Sequence, residues 1–435
     1  MLALARALRL SNAPAAAIVG AGGKTSALFR LARELSPSIV TTTTHLGAWQ
    51  AALADRHEVW PGNEPPLCAG VTLVTGKLES DKGRYTGLSG EQIGRLRTLA
   101  GDRHLPLLIE ADGARLRPLK APAEHEPGIP PNVDAVVVVA GLTGLGRPLS
   151  ESAVHYPEIF ARLCGNKTGE PVTAEALAKV LSHPEGGLKN IPPNARRAVL
   201  LNQADTTELQ LLASRIAQSL LSVFDGVVVS SLQQAEPIFA VHEKVAGIVL
   251  AAGASARFGR PKQLLDYRGR QFVRAVAETA LAANLHPVAA VTGAHAERVE
   301  AALAGLPVDL IRNDRWEHGQ SASIRAGIAS LPAATGAAVF LLADQPQITP
   351  PVIHALVDKH AQGLHPIVAP LVAGRRANPV LFDRATFADL LSLSGDVGGR
   401  ALFAHYPVED LEWPDSSLLL DVDSAADYER LISGA

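Results

Sequence analysis

Sulphur, aromatic side chains and net charge are all scarce in this chain. Two cysteines, Cys68 and Cys164, and a single methionine stand among 435 residues. Cysteines so few and so far apart exclude a disulfide framework and a thiolate metal cluster. They fit a reducing compartment, and the expected location is cytoplasmic. Aromatic residues make up 4% of the chain, against 47% hydrophobic and 19% charged residues. That balance, rich in small and branched aliphatics, belongs to a globular protein and not a disordered one. The net charge is −3. Lacking a basic excess, the chain is expected to bind neither nucleic acid nor an anionic membrane, so phosphate binding has to be local. Apolar runs of the roughly 20 residues needed to cross a bilayer are missing too. The opening MLALARALRLSNAPAAA is broken by arginines and leads straight into a strand. It reads as a short amphipathic helix, not as a signal peptide.

The length exceeds one ordinary core and suggests two domains. Segment 230–244 lacks sustained periodicity, which puts the boundary near Lys244 and the domains at 1–243 and 244–435. Both halves read as α/β, and from Val245 onward apolar strand runs alternate with helical stretches in the rhythm of a mostly parallel sheet. In the second half the runs are Val245 to Leu250, Val288 to Val291, Val308 to Ile311, Ala338 to Ala343 and Pro366 to Ala369, with a first crossover helix from Phe272 to Ala283.

Each half carries a glycine-bearing turn after its first strand. In the first half, Ala15 to Gly20 is followed by Gly20-Ala-Gly22-Gly23-Lys24-Thr25 and a helix. Bare amides, a cation and a hydroxyl at a helix start are what a phosphate-cradling loop needs. Ile18 stands where the full Walker pattern has its first glycine, so this is a P-loop variant. The alternative is a plain glycine turn with an exposed lysine. Strand Ser38 to Thr41 leads into Thr41 to Thr44 and His45 at its carboxyl end. A run from Leu105 to Ile109 ends in Glu110-Ala-Asp112, two carboxylates suited to magnesium or a water. Farther on, strands Val133 to Val139 and Ala198 to Leu201 follow, the latter ending in Asn202-Gln203-Ala204-Asp205. That tetrad resembles the base-reading NKxD element of GTP-binding proteins with Gln203 in place of lysine, or is simply a strand end before an Asp-capped helix.

In the second half, the strand from Val245 breaks into Leu250-Ala251-Ala252-Gly253, and Arg257 and Lys262 supply fixed positive charge for a triphosphate. Asp344 follows the apolar run Val339 to Ala343 and emerges at the sheet's carboxyl edge, as a metal ligand or as a turn cap. Asp421 and Asp423, taken as alternating on a strand, offer further carboxylates. Asn313 lies just past a strand, and Ser321 and Ser323 begin a helix where hydroxyls can meet a base or a phosphate. Arg376 and Asn378 lie near a turn, and Asp396 lies in the glycine-rich GDVGGR segment. As acceptor-binding residues these three compete with a loop and a helix cap.

The order Leu250-Ala-Ala-Gly253-x-Ser255-x-Arg257-x-Gly259-x-x-Lys262, with LLADQP, the GxSxSxRxG segment and the terminal DVDSAADY, resembles the molybdenum cofactor cytidylyltransferases of the MocA type. Phe258 replaces the usual Met, and Ala377 departs from the family's RGNPV. The resemblance implies a Rossmann-like nucleotidyltransferase that uses Mg2+ and moves CMP from CTP to the phosphate of molybdopterin. Leu250, Ala251, Ala252, Gly253, Lys262, Asn313, Ser321 and Ser323 would hold the nucleotide, and Asp344 and Asp423, with Asp421, the metal. Arg257, Lys262 and Asp344 would be catalytic. Over about 15–241, GAGGKTS, TTTTH, EADG followed by LKAPAEHEP, and LNQAD resemble the YqeC-type proteins, associated with molybdenum hydroxylases. This implies a second nucleotide at Gly20, Gly22, Gly23, Lys24, Thr25, Glu110 and Asp112, and a hydroxylase as client. Rival readings are transfer to another small phosphate, or a P-loop assembly factor driven by nucleotide.

Overall fold

A computed structural model describes residues 2–11, 13–60, 62–255 and 258–433. It divides into two compact units, 1–242 and 243–435.

The first unit is built on a nine-stranded sheet. Its strands lie in the order Ile238–Glu243, Gly226–Ser230, Arg196–Asn202, Ala135–Gly141, Ala15–Gly20, Leu107–Glu110, Ser38–Thr42, Val71–Thr75 and Arg56–Val59. From Gly226–Ser230 to Arg56–Val59 every pairing is parallel. Central strands of a parallel sheet are covered on both faces, which is why Ala135–Gly141 reads AVVVVAG and is buried throughout. Arg56–Val59, at the edge, carries polar and exposed residues instead. The register aligns the carboxyl ends: Ile18 pairs with Glu110, Thr42 with Glu110, Gly20 with Val139 and Gly141 with Asn202. The glycine turn, the acidic pair and Asn202 therefore share one sheet edge, where open α/β sheets bind ligands.

Segment 230–244, aperiodic in sequence, contributes the strand Ile238–Glu243. The opening helix is a single turn, Leu4–Ala7. Among the described residues no helix is long and apolar enough to cross a membrane.

In the second unit the strand Val245–Ala251 lies between Val288–Thr292 and Ala337–Leu342, parallel to both. Asp309–Arg312 extends one side in parallel, and Val380–Asp383 joins the other antiparallel. Ile367–Val372 follows, antiparallel to Val380–Asp383 and parallel to Val408–Glu412. The sheet splits the core into two layers because strand side chains alternate. Val249 and Ala251 pack with Val273, Val276, Val352 and Ile353, whereas Ala246 and Ile248 pack with Ile324 and Ile328. Helices Phe272–Ala282 and Pro350–Gly363 thus cover one face and Gln320–Ala329 the other.

A small separate cluster fixes the end of the chain. Val422, fully buried, packs with Leu265, Phe272 and Leu431, and the Tyr428 hydroxyl donates to the Asp266 carbonyl at 2.9 Å. Here the strand reading of 419–423 is corrected. Ser416–Leu419 is a short 3-10 helix, the chain then runs unpaired, and helix Ala425–Ser433 follows. Asp421 and Asp423 are held by the inward anchor between them, not by a ladder.

Candidate functional site

At the carboxyl edge of the second sheet lies a cavity of about 630 Å³. Its lining includes the turn Leu250 to Ser255, Lys262 and Gln263, then Trp316 to Gln320, Ser323, Asp344 and Asp396. The turn exists because strand Val245–Ala251 ends among small residues, so its backbone is exposed to the cavity. Gly253 and Ala254 amides donate to no acceptor among the described residues, while the Gly253 carbonyl accepts from Gln263 Nε2 at 2.9 Å.

Three charged groups meet at the cavity. Lys262 Nζ lies 2.6 Å from Asp423 Oδ1 and 3.8 Å from Asp344 Oδ2. Lys262 is largely enclosed, its side chain 13% exposed, whereas Asp344 keeps 37% of its side chain open to the cavity and Asp423 79%. Burial pushes the Asp344 carboxyl above the usual carboxylate range, against the pull of Lys262 and with Asp421 and Asp423 adding to the rise. Asp421 Oδ1 accepts from Gln345 Nε2 at 2.6 Å, so that carboxylate is oriented by a side chain from the loop after Asp344.

The carboxylate pair already holds one cation, the Lys262 ammonium, which is an observation in favour of a divalent ion there. Among the described residues no three His, Cys, Asp or Glu side chains are grouped to cage a metal. Magnesium does not require such a cage, since it binds through one or two carboxylates, water and substrate phosphates. Asp344 and Asp423, both within reach of the Lys262 ammonium, could hold such an ion.

Val422→Ala should loosen the segment that carries Asp421 and Asp423. The expected cost is about 1–3 kcal/mol by cavity formation, read as a lower melting temperature.

The other sequence candidates are spread more widely. Asn313 lines an adjacent hollow of about 450 Å³ and donates to the Ser323 hydroxyl at 3.0 Å. Ser321 is fully buried and donates to the Gly395 carbonyl at 2.6 Å, so it braces the 395 loop and does not line the cavity. Asp396 accepts from the Gln320 amide at 3.3 Å. Arg376 grips Asp410 with two hydrogen bonds of 2.6 and 3.0 Å, and lies, like Asn378, outside the cavity lining. Arg257 lies outside the described residues. Gln263 was missed in sequence, although it adjoins Lys262 in the motif.

In the first unit, the turn folds its lysine inward. Lys24 Nζ donates to the Gly20 carbonyl at 2.8 Å and lies 3.1 Å from Asp112 Oδ1 and 3.9 Å from Glu110 Oε1. Asp112 Oδ2 accepts from the Gly20 amide at 2.9 Å and meets Lys120 at 3.0 Å, and Lys120 in turn meets Glu126 at 2.8 Å. These are buried charges in alternating sign, the arrangement that makes their burial tolerable. Burial raises the Glu110 carboxyl, opposed by Lys24 and assisted by Asp112. Burial also lowers the His155 imidazole to about 4, with Lys120 adding to the effect, so it is neutral at physiological pH. Glu110 Oε2 and the Thr43 hydroxyl are buried without a hydrogen-bond partner. Thr25 accepts from Gln50 at 2.9 Å. Asn202 Nδ2 donates to the Gly22 carbonyl at 2.8 Å, and Asp205 accepts from the Ser231 hydroxyl.

Gly22 has φ +82°, and a β-carbon there would lie 2.3 Å from the Gly141 nitrogen and 2.5 Å from the Pro118 oxygen. Neither backbone atom can step aside cheaply. Gly22→Ala should cost on the order of 3 kcal/mol, seen by calorimetry as a lower melting transition.

Comparison with known proteins agrees with this division. Residues 247–411 match the MobA-like NTP transferase domain family, and residues 16–158 match the YqeC protein family. The chain is similar to the uncharacterised protein YqeC of Escherichia coli, 33% identical over 211 residues, covering 47% of this chain and 81% of that one. It is similar to nicotine blue oxidoreductase of Paenarthrobacter nicotinovorans, 34% identical over 198 residues, covering 43% of this chain and 96% of that one. Among solved structures, Rv0371c of Mycobacterium tuberculosis is 32% identical, covering 44% of this chain and 98% of that chain with a TM-score of 0.40. The chain therefore belongs to the YqeC family through its first half and to the MobA-like NTP transferases through its second.

Proposed function

We propose that the second half transfers CMP from CTP to the terminal phosphate of molybdenum-bearing molybdopterin, releasing pyrophosphate. The observation that carries this reading is the meeting of Lys262, Asp344 and Asp423 beside a turn with unpaired amides. One relative is named as an oxidoreductase, so the choice of reaction rests on the site itself. A cavity of about 630 Å³ lies within the size range of small-molecule sites.

In this reading, the free Gly253 and Ala254 amides hold the triphosphate oxygens. Lys262 leaves its carboxylates and balances charge on the phosphates as the bond to the leaving pyrophosphate stretches. Asp344 and Asp423 would hold Mg2+, which supplies neutralisation of charge developing on the α-phosphate and pyrophosphate. The acceptor phosphate oxygen forms a new bond to the α-phosphorus, the bond from that phosphorus to the pyrophosphate oxygen breaks, and pyrophosphate leaves with the electron pair. No protein nucleophile is needed, because alignment of the two substrates accounts for the catalysis. The resemblance of the Leu250 to Lys262 motif to that of the molybdenum cofactor cytidylyltransferases supports CTP over GTP.

For the first half the reading is a second nucleotide over Gly20, Gly22 and Gly23, with Lys24 and Thr25 on the phosphates. The unpaired Glu110 oxygen, beside Asp112, fits a divalent ion or its water there. The resemblance to the YqeC-type proteins supports a nucleotide-driven assembly role for this half, serving a molybdenum hydroxylase. Phosphate release that needs Lys24 but not Lys262 would mark it. The transfer reading is tested by pyrophosphate release from CTP and from GTP, with Mg2+ and a panel of phosphorylated acceptors. Release from CTP that requires molybdopterin supports it; release with any sugar phosphate but not molybdopterin reassigns the acceptor.

A further inference from the structure

We infer that Gln263 is the positioning residue that turns the backbone of the phosphate-gripping turn toward its ligand, an inference that rests on the nucleotide reading of this cavity. The Gln263 side chain belongs to one of the most enclosed polar residues of the unit, 4% exposed. Its Nε2 donates to the Gly253 carbonyl at 2.9 Å and to the Ala251 carbonyl at 3.4 Å. Its Oε1 accepts from the Ser255 hydroxyl at 3.1 Å, and the Ser255 oxygen accepts from the Lys262 amide at 3.1 Å. One primary amide thus spends both its donors on carbonyls and its acceptor on a hydroxyl that fixes the root of Lys262.

The consequence is electrostatic. A peptide unit that points its carbonyl inward points its amide the other way, so the Gly253 carbonyl claimed by Gln263 leaves the Ala254 amide unpaired at the cavity wall, as the Ala252 carbonyl claimed by the Ala294 amide at 3.1 Å leaves that of Gly253. Successive free amides form an anion-binding concavity, whereas a carbonyl turned outward would repel a phosphate. His295 adds a second brace, with Nε2 3.3 Å from the Ala254 carbonyl. Glutamine is the side chain this role demands. Leucine offers no donor, ionised glutamate presents oxygen to oxygen, and lysine and arginine cannot accept from Ser255.

The test uses the full chain and magnesium with α,β-methylene-CTP, followed by calorimetric titration. Gln263→Leu is expected to bind about tenfold more weakly, the loss of one or two net hydrogen bonds. Gln263→Glu keeps the shape and is expected to be equally weak at alkaline pH, then to recover toward wild type as the pH falls. Burial among carbonyls raises its carboxyl pKa, and the protonated form donates again. Lys262, Glu317, His318, Asp344 and Asp396 line the cavity with the turn, and His295 touches it, in both proteins, so the ratio of variant to wild-type affinity isolates the introduced group. A residue that only filled space would give a flat ratio. Should Gln263→Leu not fold, the pH course of Gln263→Glu decides alone. Wild type that binds CTP while both variants match it at every pH overturns the role of Gln263 and leaves the site intact. Wild type that binds neither α,β-methylene-CTP nor, titrated in the same way, α,β-methylene-GTP overturns the nucleotide reading itself.

Discussion

Asp344→Asn is expected to lower kcat for nucleotidyl transfer by about a thousandfold or more, because one neutral amide replaces the carboxylate best placed for a divalent ion. The same change should raise the melting temperature at neutral pH. Burial lifts the Asp344 carboxyl above its ordinary range, Lys262 opposes the rise, and Asp421 and Asp423 reinforce it. A carboxyl whose folded pKa exceeds its unfolded one gives its full contribution to stability below the unfolded value. That contribution is lost as pH rises through the folded value. At neutral pH the ionised group is thus a net burden, and the amide removes it. As pH falls below about 4, the ordinary Asp value, the difference between variant and wild type should close. Steady-state transfer assays with calorimetry at two pH values check both halves of the statement. Normal kcat in the variant would remove Asp344 from the metal role.

Lys262→Ala should move two quantities in opposite directions. Transfer falls about a hundredfold, since a cation beside the triphosphate is lost. Affinity of the nucleotide-free protein for Mn2+ rises, because the ammonium no longer sits 2.6 Å from Asp423 and 3.8 Å from Asp344. Electron paramagnetic resonance of free Mn2+ measures the second effect without any turnover. A variant that binds Mn2+ no better than wild type would mean that lysine and metal do not compete for these carboxylates. Any phosphate release that depends on Lys24 should survive the substitution.

The elements that organise both units were legible wherever the chain speaks locally. Ala15–Gly20 and Val245–Ala251 announce themselves as buried runs that end in small residues, and the lysine after each turn follows from the chemistry of phosphate. What the sequence hides is pairing across distance. Arg376 reads as a free cation for an acceptor phosphate, yet Asp410, 34 residues later, claims it through a strand pairing no spacing reveals. Ser321 reads as a ligand and is spent on the Gly395 carbonyl, 74 residues later. Asp421 and Asp423 read as strand positions because Leu420 to Asp423 alternates apolar and acidic residues, but Val422 is pulled into a cluster with Phe272 and Leu431 instead. The strand Ile238–Glu243 was obscured by the polar stretch before it. Gln263 escaped because an isolated glutamine carries no charge and no motif weight until its three hydrogen bonds are seen.

The central claim is that one divalent ion, one lysine and one triphosphate share the space between the turn at Gly253 and the carboxylates of Asp344 and Asp423. Crystals grown with Mn2+ and α,β-methylene-CTP test it directly, through the anomalous signal of the metal. The account predicts a single strong peak within coordination distance of Asp344 and Asp423, bridged to the phosphates, with Lys262 swung from the carboxylates onto the triphosphate. A nucleotide bound elsewhere on the unit, or a metal that touches neither aspartate, would contradict it.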